Sequence, residues 1–360
     1  MKKICFFISS ISLPGGTERV CTEIATQLSK LGYQVTILSM FGSKPFFELN
    51  SAVNVVSVFE EKRNLKPILP YVVLRLRSKI TKISPEVLIN VDSALFLYSH
   101  TALIGLGIKK VVWEHFNFNA SLNASVRVFA RRLAAKYSDA IITLTNKDKT
   151  TWTTRLTCKV PVFTINNPSP FTPSKNKCDN GAQTVISVGR LTSQKGFDRL
   201  LDAWQIVKTR LASNDWDLKI IGSGESKQDL EQRINRLNIS SSVKLLPQTN
   251  DIQQYYKQAS IYCMASRFEG FPMVLLEAQA FGLPLVSYDC ETGPSEIINS
   301  ENGLLVRNGD KYALANALVH LMTSEKERRT MSAKSLKNSE NYSIDVIIRS
   351  WTQLFEVHLT

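Results

Sequence analysis

The sequence predicts an α/β protein of two domains, each a doubly wound parallel sheet. Three observations predict it. At 360 residues the chain is longer than one hydrophobic core usually covers. Short β-branched or aromatic runs alternate with helical periodicity from one end to the other, the pattern of a parallel sheet covered by helices. A segment with three prolines, Asn166-Asn167-Pro168-Ser169-Pro170-Phe171-Thr172-Pro173-Ser174, reads as a linker near the middle. With 44% hydrophobic and 21% charged residues the composition is globular, which excludes disorder.

The start, Met1-Lys2-Lys3 before an apolar run, invites a signal-peptide reading. Ser9, Ser10 and Ser12 interrupt that run, and Pro14-Gly15-Gly16 leads into a helix pattern instead of a small-residue cleavage site. Strands are expected at Ile4–Ile8, Val35–Met40, Val53–Val58, Val87–Val91, Val111–Trp113, Ile141–Leu144 and Val162–Ile165. Val20, Ile24, Leu28 and Leu31 give a helical stripe that ends at Gly32. The second half repeats the alternation with Val185–Val188, Leu218–Ile221, Val243–Leu246, Ile261–Met264, Leu285–Ser287 and Leu304–Val306. Ile344, Ile347, Ile348, Trp351, Leu354 and Phe355 then mark a closing helix. The expected division is 1–167 and 168–342, with 343–360 packing back on the first domain.

Cys5, Cys21, Cys158, Cys178, Cys263 and Cys290 form no CxxC or Cys/His cluster, so reduced thiols of a cytosolic protein are expected and no metal site or other cofactor is required. No run approaches the roughly 18 apolar residues of a spanning helix. The net charge of +13 is unevenly placed: residues 1–170 hold 22 Lys and Arg against 10 Asp and Glu, the remainder 22 against 21. The excess gathers at Lys62, Arg63, Lys66, Arg75, Arg77, Lys79 and Lys82, then at Arg127, Arg131, Arg132 and Lys136. On a helix Arg127, Arg131 and Arg132 share a side while Val128, Phe129, Leu133 and Ala134 supply apolar surface, giving an amphipathic basic helix. An anionic membrane surface suits such a domain; nucleic acid does not, since no RNP sequence, zinc-finger spacing or recognition-helix motif is present.

In open parallel sheets ligands lie beyond the carboxyl ends of the strands, and two such domains facing one another leave a cleft. Four post-strand segments are therefore candidates. Gly15 and Gly16 let backbone N–H groups approach an anion at a helix start, although the spacing is not the GxGxxG of dinucleotide sites. His115, in Trp113-Glu114-His115, is a candidate substrate contact. Gly189-Arg190…Lys195-Gly196 offers a guanidinium fork and an ammonium, which suit a diphosphate. In Ser266-Arg267-Phe268-Glu269-Gly270-Phe271-Pro272-Met273-Val274-Leu275-Leu276-Glu277, Pro272 suits the first turn of a helix, leaving Glu269 in the loop at its mouth and Glu277 about a turn and a half inside. The Gly222-Ser223-Gly224 turn is read as structural. Asp215-Trp216-Asp217 spells a metal-binding DxD, but it falls at the amino edge of the sheet and reads as a solvated loop.

These segments resemble the retaining glycosyltransferases of family 4, with the GT-B fold of two Rossmann-like domains facing across a cleft. The resemblance spans the Gly15-Gly16 loop, Gly189-Arg190…Lys195-Gly196, the block from Phe268 to Glu277, and Asn302-Gly303-Leu304-Leu305-Val306. It implies that Glu277 binds the nucleotide ribose and Glu269 the hydroxyls of the transferred sugar. Arg190 and Lys195 would grip the diphosphate, with Gly270, Phe271, Pro272, Met273 and Val274 lining the donor at the helix mouth. His115 would stand near the reacting sugar, and Gly15 and Gly16 near the phosphate or acceptor. Thr292-Gly293-Pro294-Ser295-Glu296 resembles a donor-side loop of polysaccharide transferases.

The implied activity moves a hexose or N-acetylhexosamine from a UDP-sugar, with retention and without metal, to a polyprenyl-diphosphate-linked saccharide in O-antigen or capsule assembly. The protein would then be cytoplasmic, held peripherally at the inner membrane face. The alternatives are a UDP-sugar epimerase of the same architecture and a non-enzymatic basic membrane or nucleic-acid binder.

Overall fold

The computed structural model describes residues 2–119, 124–174, 181–211 and 215–359; Cys178 lies outside them. The chain forms two compact units, Met1–Asn167 with Ile347–Thr360, and Pro168–Val346.

The first unit runs β1 (Lys3–Ser10), α1 (Gly16–Lys30), β2 (Gln34–Phe41), β3 (Asn54–Phe59), α2 (Leu69–Ile83), β4 (Val87–Val91), α3 (Phe96–Ala102), β5 (Lys109–Glu114), α4 (Ala124–Tyr137), β6 (Ala140–Thr143), α5 (Asn146–Arg155) and β7 (Val162–Thr164). Its seven strands are parallel in the order β3-β2-β1-β4-β5-β6-β7. Every residue of β4 is buried, as a strand covered on both faces requires. Alternation along β1 separates two cores. Cys5 and Phe7 pack with Leu38, Val72 and Leu76, while the Phe6 ring lies 6.2 Å from Trp113 and 6.0 Å from Trp351. The closing stripe thus buries Ile347, Ile348, Trp351, Leu354 and Phe355, and the Lys2 ammonium donates to the Phe355 carbonyl. One member of the α1 stripe departs from expectation: Leu31 caps the helix and is exposed.

The larger departure is α4, whose faces are mixed: Ala134 is buried and Leu133 half-buried against the core and Arg132 is exposed, as expected, but Phe129 and Val128 face outward while Arg131 faces inward. Arg131 is only 2% exposed, whereas Phe129 is 60% exposed, with Val126 and Val128 also outside. The cause is electrostatic. Glu114 is fully buried at the end of β5 and would carry an uncompensated charge costing about 3–5 kcal/mol without a partner. Burying a phenylalanine instead contributes about 1.5–3 kcal/mol, so the arginines win the inward face. Arg131 Nε lies 2.9 Å from Glu114 Oε2, and Arg127 Nη1 lies 2.7 Å from Asp92 Oδ1 and 3.5 Å from Glu114 Oε1. Two members of the basic cluster are therefore internal ion pairs, leaving Arg132 and Lys136 outside.

The second unit runs β8 (Thr184–Val188), α6 (Phe197–Arg210), β9 (Asp217–Ile221), α7 (Lys227–Arg236), β10 (Val243–Leu246), α8 (Gln253–Lys257), β11 (Ile261–Met264), α9 (Met273–Ala280), β12 (Leu285–Asp289), α10 (Pro294–Ile297), β13 (Gly303–Arg307), α11 (Lys311–Thr323) and α12 (Glu325–Ser339); α13 (Ile344–Gln353) follows. Its six strands are parallel in the order β10-β9-β8-β11-β12-β13. Trp204, Leu218, Ile220, Ile261 and Leu318 share its core. The Gly222-Ser223-Gly224 turn is structural as read: a Cβ on Gly222 would lie 1.9 Å from the Gly189 carbonyl oxygen, and Leu191 donates its N–H to Ser223 at 2.9 Å. Asp217 opens β9 at the amino edge, 3.6 Å from Lys244.

Strand order reverses between β1 and β4 and again between β8 and β11, so the loops after these strands diverge at the carboxyl edge, where open sheets receive ligands. No helix of the described residues is long and apolar enough to cross a membrane. The outward Phe129 yields a direct expectation. Phe129→Ser should shift urea stability by no more than about 0.5 kcal/mol, the range of an exposed site; a buried phenylalanine would lose several times that.

Candidate active site

In the second unit the loops after β8 and β11 are tied to each other. Gly196 has φ +65°, and a Cβ there would stand 2.1 Å from the Ala265 carbonyl oxygen, so glycine alone permits the contact. Arg267 donates its N–H to Gln194 O at 2.8 Å, and the Gln194 amide donates to Phe268 O at 3.1 Å. Arg267 also forks onto Asp198 at 2.8 and 2.7 Å.

This bracing sets up one ion pair. Lys195 Nζ lies 2.6 Å from Glu269 Oε1, and the Ser266 hydroxyl donates to the same oxygen at 2.6 Å. The Lys195 stem runs past Gly189, where a Cβ would meet it at ordinary contact distance, 3.5 Å. Glu269 is 6% exposed, and Thr292 donates its hydroxyl to the Glu269 carbonyl at 2.7 Å. Gly293 has φ +98°, and a Cβ there would stand 2.4 Å from Pro272 Cδ, so the Thr292–Glu296 segment lies against Gly270–Pro272. Arg190 opens the post-β8 loop and is exposed.

Pro272 caps α9 in extended conformation instead of entering its first turn, as the sequence suggested, and supplies no side-chain cap. The first N–H groups of α9, beginning with Met273 and Val274, are thus left as a positive mouth behind Gly270 and buried Phe271. Glu277 is buried on α9 and accepts the Tyr256 hydroxyl at 2.8 Å, while Tyr256 stacks on Phe281 with centroids 5.4 Å apart. Tyr262 donates to Val188 O at 3.3 Å. Burial, then the charge of Glu277 and more weakly that of Glu269, raises its phenol well above the usual value. The charges of both glutamates thus act on one tyrosine whose hydroxyl is tied to the strand that leads to Arg190.

In the first unit His115 follows β5 and is 9% exposed, its ring centroid 4.3 Å from that of Trp113. Burial lowers its pKa to about 4, against the opposing pull of Glu114, so the imidazole is neutral near pH 7. Burial would raise Glu114, but Arg131, then Arg127 and the Ser93 hydroxyl, outweigh it and hold the carboxyl below its ordinary value. Asp148, buried beneath the same turn, is raised to about 6 chiefly by desolvation. Gly15 caps α1 and Gly16 begins it, neither with positive φ. A Cβ on Gly15 would fall 2.1 Å from a Glu18 carboxylate oxygen, so the chain's own acid lies beside the start of α1; Gly16 faces open space.

The structure thus brings Lys195 and Glu269 together ahead of α9, the helix that carries Glu277. His115, Gly15 and Gly16 belong to the other unit. Sequence reasoning missed Tyr256, Tyr262, Ser266 and the Asp198–Arg267 brace. Of these only Ser266 and Arg267 stood inside a recognised block. Among the described residues no group of three or more His, Cys, Asp or Glu is arranged to hold a metal.

Comparison with known proteins decides the family. Residues 14–168 match the family described as Glycosyltransferase Family 4, and residues 168–338 match Glycosyl transferases group 1. An uncharacterised glycosyltransferase of Haemophilus influenzae is 38% identical over 98% of this chain and 99% of its own. The chain belongs to glycosyltransferase family 4. This glycosyltransferase is also 31% identical to the amylovoran biosynthesis glycosyltransferase AmsD of Erwinia amylovora, over 98% and 99% of the two chains. It is 26% identical, over 98% of each, to a Campylobacter jejuni α-1,4-N-acetyl-D-galactosaminyltransferase named for an undecaprenol-diphosphate-linked acceptor. Anabaena HepE, solved with UDP-glucose, shares the transferase's fold with a TM-score of 0.77 at 18% identity, over 99% of both chains.

The depressed His115 pKa fixes a pH effect on the transferase. Between an unfolded value near 6.5 and about 4, the unfolded state binds the extra proton, so stability from this site is present above pH 6.5 and lost as pH falls. Relative to His115→Gln, wild type should lose about 3 kcal/mol across that window in denaturant titrations.

Proposed function

We propose that this glycosyltransferase moves a hexose or N-acetylhexosamine from a UDP-sugar, with retention of anomeric configuration, to a polyprenyl-diphosphate-linked saccharide in cell-surface polysaccharide assembly. The observation that carries the donor reading is the Lys195–Glu269 pair beside the uncapped mouth of α9, with Glu277 buried behind it. Lys195 and Arg190 receive the diphosphate, and Gly270, Phe271, Met273 and Val274 approach it with backbone N–H groups, whereas Pro272 shapes the turn. Glu277, oriented by Tyr256, accepts from the ribose hydroxyls. Glu269 accepts from sugar hydroxyls and holds Lys195 extended until the donor arrives.

Cleavage of the anomeric bond leaves charge on the β-phosphate, and fixed donors aimed at developing charge are the largest contribution such a site makes. The departing phosphate takes the proton of the acceptor hydroxyl, so no enzymic nucleophile is required. His115, neutral at working pH, serves the reacting sugar as a hydrogen-bonding group. Lys195 and Arg190 fill the role a metal plays elsewhere, and Asp215 and Asp217 stand at the wrong edge for it. HepE's UDP-glucose and the Campylobacter enzyme's lipid-linked acceptor support this donor and acceptor class. The epimerase and the non-enzymatic binder gain no support from relatives that are transferases along the whole chain.

A peripheral place at an anionic inner membrane face fits the first unit in a revised form. Leu69, Tyr71 and Leu74 of α2 and Val126, Val128 and Phe129 of α4 are exposed, and both helices pack on α3. Exposed Lys62, Arg63, Lys66, Arg132 and Lys136 accompany them. Apolar groups entering the headgroup layer and cations worth about 1 kcal/mol each near anionic lipid make a reversible anchor.

Lys195→Ala should lower sugar transfer from the preferred UDP-sugar by about 10²–10³-fold, and wild-type turnover should survive EDTA. Donor hydrolysis to UDP and product stereochemistry followed by NMR check both, and an inverted product would remove the retaining assignment. Sedimentation with phosphatidylglycerol vesicles should show binding that Phe129→Asp weakens and high salt releases; equal binding to neutral vesicles would remove the membrane reading alone.

A further inference from the structure

We propose that Arg131 is a positioning residue for the transfer step, holding from the inner face of α4 the turn that carries His115. The inference rests on the reading of His115 as a group that serves the reacting sugar. The guanidinium is spent entirely on this turn. Its Nε meets Glu114 Oε2 at 2.9 Å, its Nη2 donates to Asn117 O at 3.1 Å and more weakly to Phe116 O at 3.4 Å, and its Nη1 donates to Phe118 O. The other Glu114 oxygen accepts the Phe116 N–H at 3.2 Å, and the guanidinium lies 4.8 Å from the Phe118 ring centroid. His115 therefore sits between a residue whose carboxylate is gripped and one whose N–H and carbonyl are both engaged.

The imidazole needs such support. Its Nε2 is buried with no hydrogen-bond partner among the described residues, and the contact seen for its ring is with the Trp113 ring, tilted at 53°. An imidazole not anchored through Nε2 takes its position from the backbone beneath it. A planar fork can span one carboxylate and three successive carbonyls; an ammonium on a flexible stem can satisfy only part of that set. Arg131→Lys thus keeps the buried charge while releasing the turn, which separates positioning from simple charge balance.

The test uses the full chain labelled with 13C,15N-histidine. The His115 resonances are assigned by their loss in His115→Gln, and kinetics use the UDP-sugar that most stabilises the wild type against heat. Arg131→Lys is expected to shift or broaden the His115 ring resonances while His100, His320 and His358 keep theirs. It should lower kcat about 10–100-fold with donor KM unchanged, since displacement by a fraction of an ångström to an ångström costs that much. Should Arg131→Lys fail to fold, the paired Glu114→Gln, Arg131→Gln variant removes both charges and gives the same readouts. Wild-type His115 resonances in a folded variant would overturn the positioning role. Wild-type kcat in His115→Gln would instead overturn the role of His115, and the spectra would still decide whether Arg131 holds the turn.

Discussion

A carboxylate at the carboxyl end of a buried parallel strand has to be paired, and much of this molecule is arranged around that need. Strands covered on both faces bring their last residues into a setting with little water, where a lone charge costs several kcal/mol. In the first unit Glu114 meets this constraint with Arg131 and Arg127, and α4 orients itself accordingly. In the second unit Glu269, buried in the loop beyond β11, has the same need and meets it with Lys195 and Ser266, and the braced loops after β8 and β11 keep those groups in reach. The two solutions differ in consequence. An arginine locked to four acceptors is a fixed support, whereas Lys195, on a flexible stem and paired with Glu269, is the group that under the proposed function turns to the donor.

The strands were legible because the sheets are buried on both faces. Short runs rich in β-branched, aromatic and other apolar residues, such as Val87–Val91 and Ile261–Met264, carry their own signal, and all thirteen anticipated runs are strands. Helix faces were less legible. Periodicity ranks side chains by apolarity, and α4 offered two opposed faces of similar appeal: one led by Phe129, the other by Arg127 and Arg131. What settled the matter was Glu114, ten or more residues away in sequence and recognisable as a demand only once β5 had buried it.

Within the site, legibility followed the chemistry of backbone and charge. Gly196 and Gly293 are needed where loops approach within a Cβ's width, and such glycines punctuate a sequence visibly. Lys195, Glu269 and Glu277 stand near them and were found with them. Tyr256 and Tyr262 were not, because an orienting phenol leaves no spacing rule: Tyr256 lies on the short helix α8 and reaches Glu277 only through the tertiary fold. Pro272 was misplaced by one helical position, since proline fits both the cap and the first turn.

The charge asymmetry between the halves changes meaning once α4 is seen. Counting Arg127 and Arg131 toward a membrane-facing potential overstated it, because both are neutralised inside the fold by Asp92 and Glu114. Val126, Val128 and Phe129 are exposed on this helix, as are Arg132 and Lys136. An interfacial helix needs apolar residues to enter the headgroup layer and cations to stay at its surface, so this arrangement suits a bilayer better than a uniformly basic face would. The same helix then presents its inner face to the His115 turn and its outer face to the surroundings. The property that first suggested a surface role, a run of arginines, does internal work instead, and exposed aromatic and aliphatic groups carry the surface argument.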